Sequence, residues 1–284
     1  MVGAATAFGV MAFTAKLASA RISGPEVALI RMLIGLLPCI VVPRYRRAAL
    51  TFERLDLLLY RGFFGGLAVM LYFMAIEHTT AGMATLLNYT APVWSGLFSM
   101  AFINERFSPR VLLPLPIALT GIFLVVQAGT LGFGMWQIVG LLSAVSSGAA
   151  VTAMRAARRT ESSWSVYASF CLLGAIVNAP LAVRYWKTPT PREWLLLGTT
   201  ALFAMIAQLL LTFSLRWVDA MTVGVISQLA VIISMFLGAI FLGDRITGMA
   251  AIGSALTIAG VVGVTYVTSI DKRQAAADEV VPEV

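Results

Sequence analysis

The chain has 284 residues, of which 60% are hydrophobic and only 12% are charged, with a formal net charge of +7. An ordinary soluble domain carries about 25% charged residues. Apolar runs long enough to cross the ~30 Å hydrocarbon core of a bilayer recur along this chain, and most lack the charged face of a soluble helix. Composition therefore excludes a soluble helical protein and predicts an all-α polytopic membrane protein.

The apolar runs divide the chain into ten predicted transmembrane helices joined by short connections. The first run begins at Val2 without a preceding basic stretch, so we interpret it as a retained span rather than a signal peptide. The clearly polar tail, residues 269–284, is predicted to be cytoplasmic. The spans lie at roughly 2–20, 24–42, 57–76, 80–101, 110–127, 135–154, 164–183, 194–214, 220–242 and 247–268.

The basic residues lie in the short connections, not on one face, which argues against nucleic-acid binding and is typical of topology signals. Twelve Lys and Arg residues fall on the side of the membrane that would hold the termini, five on the opposite side and three within spans or at their edges. The positive-inside rule therefore predicts cytoplasmic termini in a bacterial-type plasma (inner) membrane.

The cysteines and acidic residues offer no metal site. Cys39 and Cys171 lie in apolar runs without a neighbouring Cys or His, so neither a disulfide nor a metal site is predicted, and we expect no cofactor. All 13 acidic residues lie at span ends or in connections. Because proton-coupled pumps commonly carry an ionisable group inside the membrane, this pattern favours an uncoupled facilitator. A proton-coupled drug/metabolite antiporter remains the alternative.

Two short stretches near the ends of spans 4 and 9 match each other. FINERFSP at residues 102–109 aligns with FLGDRITG at residues 241–248 with a constant offset of 139, and the same offset pairs Gly9 with Gly148 and Gly121 with Gly260. Such a fixed register predicts an internal duplication, with repeats at residues 1–129 and 135–268. Because each repeat holds five spans, the second copy is expected to be inverted relative to the first.

The matching stretches also contain the charge pairs Glu105–Arg106 and Asp244–Arg245. In one interpretation they only mark where a span leaves the hydrocarbon core, because charges are costly inside it. In the other they act as gates at the two membrane faces.

The two motifs PVWSGLFSMAFINERFSPRVLLPLPIALTGIFLV and SMFLGAIFLGDRITGMAAIGSALTIAGVVGV resemble the paired signatures of the drug/metabolite transporter superfamily, EamA family. The resemblance implies ten helices in two inverted five-helix repeats and export of small metabolites. It is strongest to YddG-type exporters of aromatic amino acids. Lys16 and Arg31 lie where that family commonly places basic residues, whereas Phe170 occupies the repeat position of Arg31.

A candidate substrate site follows from span 4. One helical face near its centre carries Thr85, Asn88, Tyr89 and Pro92. At the offset of 139, Ser227 and Gln228 are the repeat counterparts of Asn88 and Tyr89. Transporters with inverted repeats bind substrate near the bilayer midplane at the repeat interface. Buried amides either line such a cavity or join helices by hydrogen bonds, and both interpretations stay open here.

Further side chains could complete this cavity. Gly65, Ala68 and Tyr72 share a face of span 3, and hydroxyl or amide groups recur in spans 6 and 8. The additional candidates are Ser143, Ser146, Ser147, Gln208, Thr212, Phe8, Met11 and Trp94. For Phe8, Met11 and Trp94, ordinary packing or a lipid-facing position is the alternative. Together they predict a wide, uncharged cavity suited to neutral or zwitterionic solutes, including aromatic amino acids.

The remaining function classes are disfavoured. A zinc protease motif needs two histidines, and the sequence has only His78. An aspartyl mechanism needs two neighbouring carboxylates within the membrane. A structural or receptor-like role would not explain an inverted repeat with polar residues near the middle of the membrane. We therefore expect a transporter and not an enzyme, with a small-molecule substrate, the lipid bilayer as its environment and a monomeric or weakly oligomeric state.

Overall fold

The computed structural model describes residues 1–103, 110, 113–127, 134–158, 160–214, 226–244 and 247–278. Its secondary structure over these ranges is helical. In chain order the helices are α1 (Val2–Ala18), α2 (Gly24–Val41), α3 (Pro43–Leu50), α4 (Leu55–His78), α5 (Ala81–Asn88), α6 (Ala91–Ile103), α7 (Pro114–Gln127), α8 (Met135–Ala157), α9 (Ser163–Arg184), α10 (Pro191–Ser214), α11 (Leu229–Leu237), which a π-turn (Gly238–Leu242) continues, and α12 (Gly248–Asp278).

Six segments of the described helices are long and apolar enough to cross a membrane. They are Gly24–Val41, Leu55–His78, Met135–Ala157, Ser163–Arg184, Pro191–Leu211 and Gly248–Val267. Shorter apolar helices cover Val2–Ala18, Pro114–Leu124 and Leu229–Leu242. Large apolar side chains on the outer surface, such as Leu37, Phe63 and Ile176, are at least half exposed, as expected where a surface faces lipid. The membrane protein predicted from composition is therefore all-α and polytopic, and the count of ten spans stays a prediction.

The predicted fourth span, residues 80–101, is two helices and not one. A turn at residues 89–90 separates α5 from α6. Pro92 explains the break, because proline has no N–H to donate to the carbonyl oxygen of Asn88, four residues before it. A second turn, at Gln228, stands at the start of α11. The two turns lie 139 residues apart, at the spacing of the duplicated motifs.

Small residues bring the central helices close together. Helix α4 packs against α8 and α9, α1 packs against α10 and α11, and α7 packs against α12. At the α4–α9 contact, a Cβ atom at Gly66 would lie 2.6 Å from Cα of Gly174. Only glycine fits where the backbones of two helices approach each other so closely, and small residues commonly permit close helix packing in membranes.

Contacts between the two halves occur in exchanged pairs. Each pair is related by adding 139 to one residue number and subtracting 139 from the other. The Gly9–Ile233 contact corresponds to the Gly148–Trp94 contact. In the same way, Gly35–Cys171 corresponds to Gly174–Met32, and Gly121–Thr257 corresponds to Gly260–Ala118. A two-fold relation between similar halves produces reciprocal contacts of this kind.

Helix α3 lies in a connection to which the sequence analysis assigns no helix. Its Tyr45 ring stacks on Trp164 of α9, with centroids 3.9 Å apart. The carbonyl oxygen of Ala48 accepts hydrogen bonds from the hydroxyls of Ser162 and Ser165, at 3.0 and 2.7 Å. These contacts fix α3 against the start of α9.

Polar contacts fix the connections at both ends of the helix bundle. At the end we call the Glu161 end, Oε1 of Glu161 accepts from the backbone N–H groups of Glu53 and Arg54, at 2.7 and 2.6 Å. At the opposite end, the Glu77 end, Oε2 of Glu77 accepts from the backbone N–H of Gly24 at 2.7 Å.

Lys16 lies at the Glu77 end and closes the C-terminus of α4. Its Nζ donates to the carbonyl oxygens of Ile76, Glu77 and Thr79, at 2.9, 3.0 and 2.5 Å. The last carbonyls of a helix lack partners within the helix, and a lysine can supply them. This basic residue therefore joins α1 to α4.

Candidate functional site

A cavity of about 260 Å³ lies between the two halves of the described chain. Helices α1, α2, α4, α5 and α6 contribute from one half, and α8, α9, α10 and the segment just before α11 contribute from the other. Its lining residues are Phe8, Met11, Arg31, Arg61, Gly65, Ala68, Val69, Tyr72, Asn88, Tyr89, Ala91, Pro92, Ser147, Ala150, Val151, Met154, Arg155, Phe170, Gln208, Leu211 and Ser227.

Most of the side chains predicted for a substrate site meet in this cavity. Seven of the eleven line it: Phe8, Met11, Tyr72, Asn88, Tyr89, Gln208 and Ser227. Gly65, Ala68, Pro92 and Ser147, which the helical spacing also indicated, line it as well. The other four, Thr85, Trp94, Ser146 and Gln228, lie outside the lining.

Thr85 is fully buried behind Tyr72. Its hydroxyl donates to the carbonyl oxygen of Ala81 at 2.6 Å, and its Oγ1 lies 2.8 Å from the Tyr72 hydroxyl oxygen. Because a threonine hydroxyl has one proton, Tyr72 must donate in the second bond. Thr85 therefore orients the tyrosine ring at the cavity wall instead of reaching the cavity itself.

Gln228 joins the two helix breaks. Its side chain is 4% exposed, and Nε2 lies 3.4 Å from the carbonyl oxygen of Tyr89. The N–H of Val93 bonds to Thr90 instead, at 2.9 Å. Gln228 thus supplies a donor to the Tyr89 carbonyl, which the turn has removed from the regular hydrogen bonding of a helix. This contact favours the interpretation in which the Gln228 amide joins helices.

Trp94 and Ser146 belong to helix packing. The Trp94 Cβ would lie 2.7 Å from a Cβ at Gly148, and its Nε1 donates to Thr90 Oγ1 at 3.3 Å. Ser146 is buried within α8. Neither residue lines the cavity, and spacing within one helix does not reveal which residues meet a neighbouring helix instead.

Asn88 combines both interpretations of a buried amide. It lines the cavity, while its Nδ2 donates to Ser143 Oγ at 2.9 Å and to Ser147 Oγ at 3.2 Å. These bonds tie the end of α5 to α8 and fix the orientation of the amide. Asn88 therefore presents a positioned polar group to the cavity.

The expectation of an uncharged cavity is wrong, because three arginines line it. Arg31 and Arg61 are 8% and 6% exposed, whereas Arg155 is exposed. The sequence places Arg61 inside span 3 or at its edge and does not include it among the cavity candidates, although it precedes Gly65, Ala68 and Tyr72 at helical spacing on the same face. The wall of the cavity therefore contains two buried cationic groups and one exposed one.

Phe170 lies between the two buried arginines. The guanidinium carbons of Arg61 and Arg31 are 4.4 and 5.9 Å from the centre of its ring, and that of Arg31 is 5.7 Å from the Phe73 ring. Cations are attracted to the faces of aromatic rings at these distances. The residue that replaces Arg31 in the second repeat thus contacts Arg31 directly.

The predicted gate residues are only partly described. Glu105, Arg106 and Arg245 lie outside the described residues. Asp244 follows Gly243, whose φ of 68° lies in the left-handed region that favours glycine. The backbone N–H of Asp244 donates to the carbonyl oxygen of Gly238 at 3.2 Å. Partial burial raises the pKa of Asp244, and the nearby charge of Lys16 opposes that shift. A gate role stays a prediction.

Metal binding has no support among the residues described, because no three His, Cys, Asp or Glu side chains there could share an ion.

Comparisons with known proteins agree with this architecture. The sequence model of the EamA-like transporter family matches residues 1–127 and 134–266. The pseudopaline exporter CntI of Pseudomonas aeruginosa is 29% identical over 89% of this chain and 87% of its own length. An uncharacterized transporter of Archaeoglobus fulgidus is 26% identical over 70% of this chain and 72% of its own. Human solute carrier family 35 member G1 is 23% identical over 81% of this chain and 67% of its own.

A crystal structure of another protein superposes with a TM-score of 0.62 at 22% identity, covering 94% of this chain and 97% of that one. At this identity the likeness concerns the fold alone. The expected resemblance to the EamA family is confirmed, while the finer likeness to exporters of aromatic amino acids stays a prediction. Because the family model matches almost the whole chain, the protein belongs to the EamA-like transporter family and is a multi-pass membrane transporter of a small molecule, not an enzyme.

Proposed function

We propose that the protein exports small zwitterionic metabolites, with amino acids and their aromatic members as the first class to test. The supporting observation is the cavity of about 260 Å³ whose walls come from both halves. Apolar and aromatic side chains form most of the wall, and a few polar groups converge on it, as is usual for small-molecule sites.

The proposed mechanism is alternating access by two inverted five-helix repeats. The exchanged glycine contacts support a two-fold relation between the halves. If the halves exchange conformations, a cavity open at one end becomes a cavity open at the other. The helix breaks at residues 89–90 and 228 are also typical of transporters, which build substrate sites from discontinuous helices.

The proposed orientation places both termini in the cytoplasm and the Glu161 end at the cytoplasmic face of the inner membrane. The excess of Lys and Arg in the connections on that side supports it. The exposed Arg155 would then lie at a cytoplasmic mouth of the cavity. In this arrangement the protein takes substrate from the cytoplasm.

The direct test is flux through the purified protein in liposomes. Vesicles loaded with radiolabelled phenylalanine should release it faster than protein-free vesicles and should release it chemically unchanged. A panel of other amino acids then defines selectivity. No protein-dependent release of any amino acid would contradict this function.

A proton-coupled antiporter is the second candidate, and Glu26 is the observation that favours it. This side chain is fully buried in the first turn of α2. Its Oε2 accepts from the backbone N–H of Lys187 at 3.1 Å, while Oε1 has no hydrogen-bond partner in the described structure. An imposed pH gradient should leave flux unchanged for a facilitator. Flux that follows the gradient in the wild type but not in Glu26→Gln would favour the antiporter.

A further inference from the structure

Arg31 and Arg61 are the buried charges of the cavity. Each is more than nine-tenths buried, and each lines the cavity between the two halves. The Nε of Arg61 is buried without a hydrogen-bond partner among the described residues. Leaving a buried cation uncompensated is costly, so these groups call for a ligand of opposite charge.

Two of the described acidic side chains at the same end of the molecule, those of Asp56 and Glu161, are engaged elsewhere. Asp56 lies 2.8 Å from Nη2 of Arg54 in an ion pair. Glu161 accepts two backbone N–H groups with Oε1. Within the described residues, no ion pair is formed by Arg31 or Arg61. The protein therefore does not neutralise the pair from that part of its own chain.

The surroundings hold the guanidinium groups in place. Phe170 stacks with Arg61 on its ring face and lies within 6 Å of Arg31. Gly65 leaves space for Nη1 of Arg61, because a Cβ there would collide with that atom. Packing against an aromatic ring fixes the guanidinium group while its donors stay available to a ligand.

We propose that Arg31 and Arg61 form a carboxylate-binding site, so that the transported solutes are small organic acids or zwitterions with a free carboxylate. This inference rests on the proposed export function and specifies its substrate class. Guanidinium groups match the planar geometry of a carboxylate through paired N–H donors. The apolar wall of Phe8, Met11 and Tyr72 then receives the rest of the solute.

The test compares three probes that share a phenyl ring and a short chain. Phenylalanine carries a carboxylate and an ammonium group, 3-phenylpropanoate carries only the carboxylate, and phenethylamine carries only the ammonium group. Ligand-induced shifts of the melting temperature of purified protein report binding without transport. We expect shifts with phenylalanine and 3-phenylpropanoate but not with phenethylamine.

Variants test the two arginines directly. Arg31→Gln and Arg61→Gln should each weaken 3-phenylpropanoate binding at least about tenfold, because a charge-assisted hydrogen bond is lost. Without ligand, both should melt at or above the wild-type temperature, because an uncompensated buried charge has been removed. Arg44→Gln, at an exposed position on α3, is the matched control and should change neither quantity.

Four outcomes would overturn the proposal. The first is equal binding of phenethylamine and 3-phenylpropanoate. The second is wild-type affinity in both arginine variants, and the third is a ligand-free melting temperature that falls sharply in both, which would assign the arginines to folding. An equal shift with inorganic phosphate would identify a site for inorganic anions and would also contradict the carboxylate assignment.

Flux measurements separate this inference from the proposed function. If carboxylates bind as expected but no amino acid crosses the liposome membrane, the site stands and amino-acid export fails. If amino acids are transported and the arginine variants bind and transport like the wild type, export stands and the site fails.

Discussion

Gly65 is the residue that makes room for a charge within the cavity. A Cβ at this position would collide with Nη1 of Arg61 and would lie 2.8 Å from Cδ2 of Phe170. We expect Gly65→Ala to displace the guanidinium group and to raise the KM for export by about tenfold, since charge-assisted hydrogen bonds are each worth about 1.5–3 kcal/mol. Initial rates in proteoliposomes over a range of substrate concentrations measure this effect.

Gly198→Ala is the control for that substitution. Gly198 lies within α10, and a Cβ there would meet nothing within 4 Å among the described residues. Both substitutions improve helix propensity by up to about 1 kcal/mol. An unchanged KM in Gly198→Ala but not in Gly65→Ala assigns the effect to Arg61 and Phe170. Equal kinetics in the two variants would show that the space beside Arg61 does not matter.

The amides of Asn88 and Gln228 are expected to differ in their effects. Gln228 is 4% exposed, and Gln228→Ala would leave both a buried void and a Tyr89 carbonyl without this donor. Both effects are costly away from water, so this substitution should lower the melting temperature. Asn88→Ala removes a cavity-lining amide whose bonds to Ser143 and Ser147 are part of a membrane helix contact. Such bonds average only about 0.6 kcal/mol, so Asn88→Ala should mainly lower flux per folded molecule.

Melting curves and flux measured on the same preparations distinguish these roles. Loss of stability with normal flux in Asn88→Ala would assign Asn88 to helix joining alone. Loss of flux without loss of stability in Gln228→Ala would return Gln228 to the substrate site as the sequence analysis predicts.

At the scale of elements, the break between α5 and α6 can be tested with Pro92. Pro92→Ala supplies the missing N–H and lets the two helices continue as one, with a gain of up to about 3 kcal/mol in helix propensity. We expect an equal or higher melting temperature together with reduced flux, because the turn places Asn88 and Tyr89 beside the cavity. Thermal unfolding in detergent and liposome flux measure the two effects.

Pro180→Ala provides the matched control. Pro180 lies inside α9 and outside the cavity lining, so its replacement should change stability without changing flux. If Pro92→Ala transports at the wild-type rate, the broken helix is not required for function.

At the scale of the whole molecule, the contact between α5 and α11 is suited to hold the Glu77 end closed. A Cβ at Gly82 would lie 3.1 Å from the Met235 Cβ, near the separation of about 3.5–4.5 Å that disulfides use. In a background lacking Cys39 and Cys171, oxidised Gly82→Cys/Met235→Cys should lose flux, because alternating access requires this end to open. Reducing agent should restore flux.

The contact between α7 and α12 supplies the control for the crosslink. A Cβ at Gly263 of α12 would lie 2.7 Å from the Pro114 Cβ and 3.9 Å from the Pro114 Cα of α7, and the offset of 139 relates α7 to α12. Oxidised Pro114→Cys/Gly263→Cys should therefore keep its flux. Normal flux in the oxidised Gly82/Met235 pair would place the gate elsewhere and would count against rocking of the halves.

The sequence by itself determined the membrane class and the periodic features of the chain. An apolar helix in lipid must satisfy its backbone internally, so hydropathy along the chain is enough to predict an all-α membrane protein. The offset of 139 and the shared faces of Gly65–Tyr72 and Asn88–Pro92 depend only on spacing along the chain. Of the predicted site residues that line the cavity, Tyr72, Asn88, Tyr89 and Ser227 were identified from these features.

Only the tertiary structure decided which face of each helix meets the cavity and which meets another helix. Thr85 follows the same spacing as Asn88, yet it lies behind Tyr72, and Gln228 bonds to the Tyr89 carbonyl from the other half of the chain. From the sequence alone Arg61 is one of three basic residues inside spans or at their edges, whereas in the structure it lines the cavity and packs against Phe170 and Gly65. Helical spacing groups residues on one helix, but the neighbouring helices determine what each face contacts.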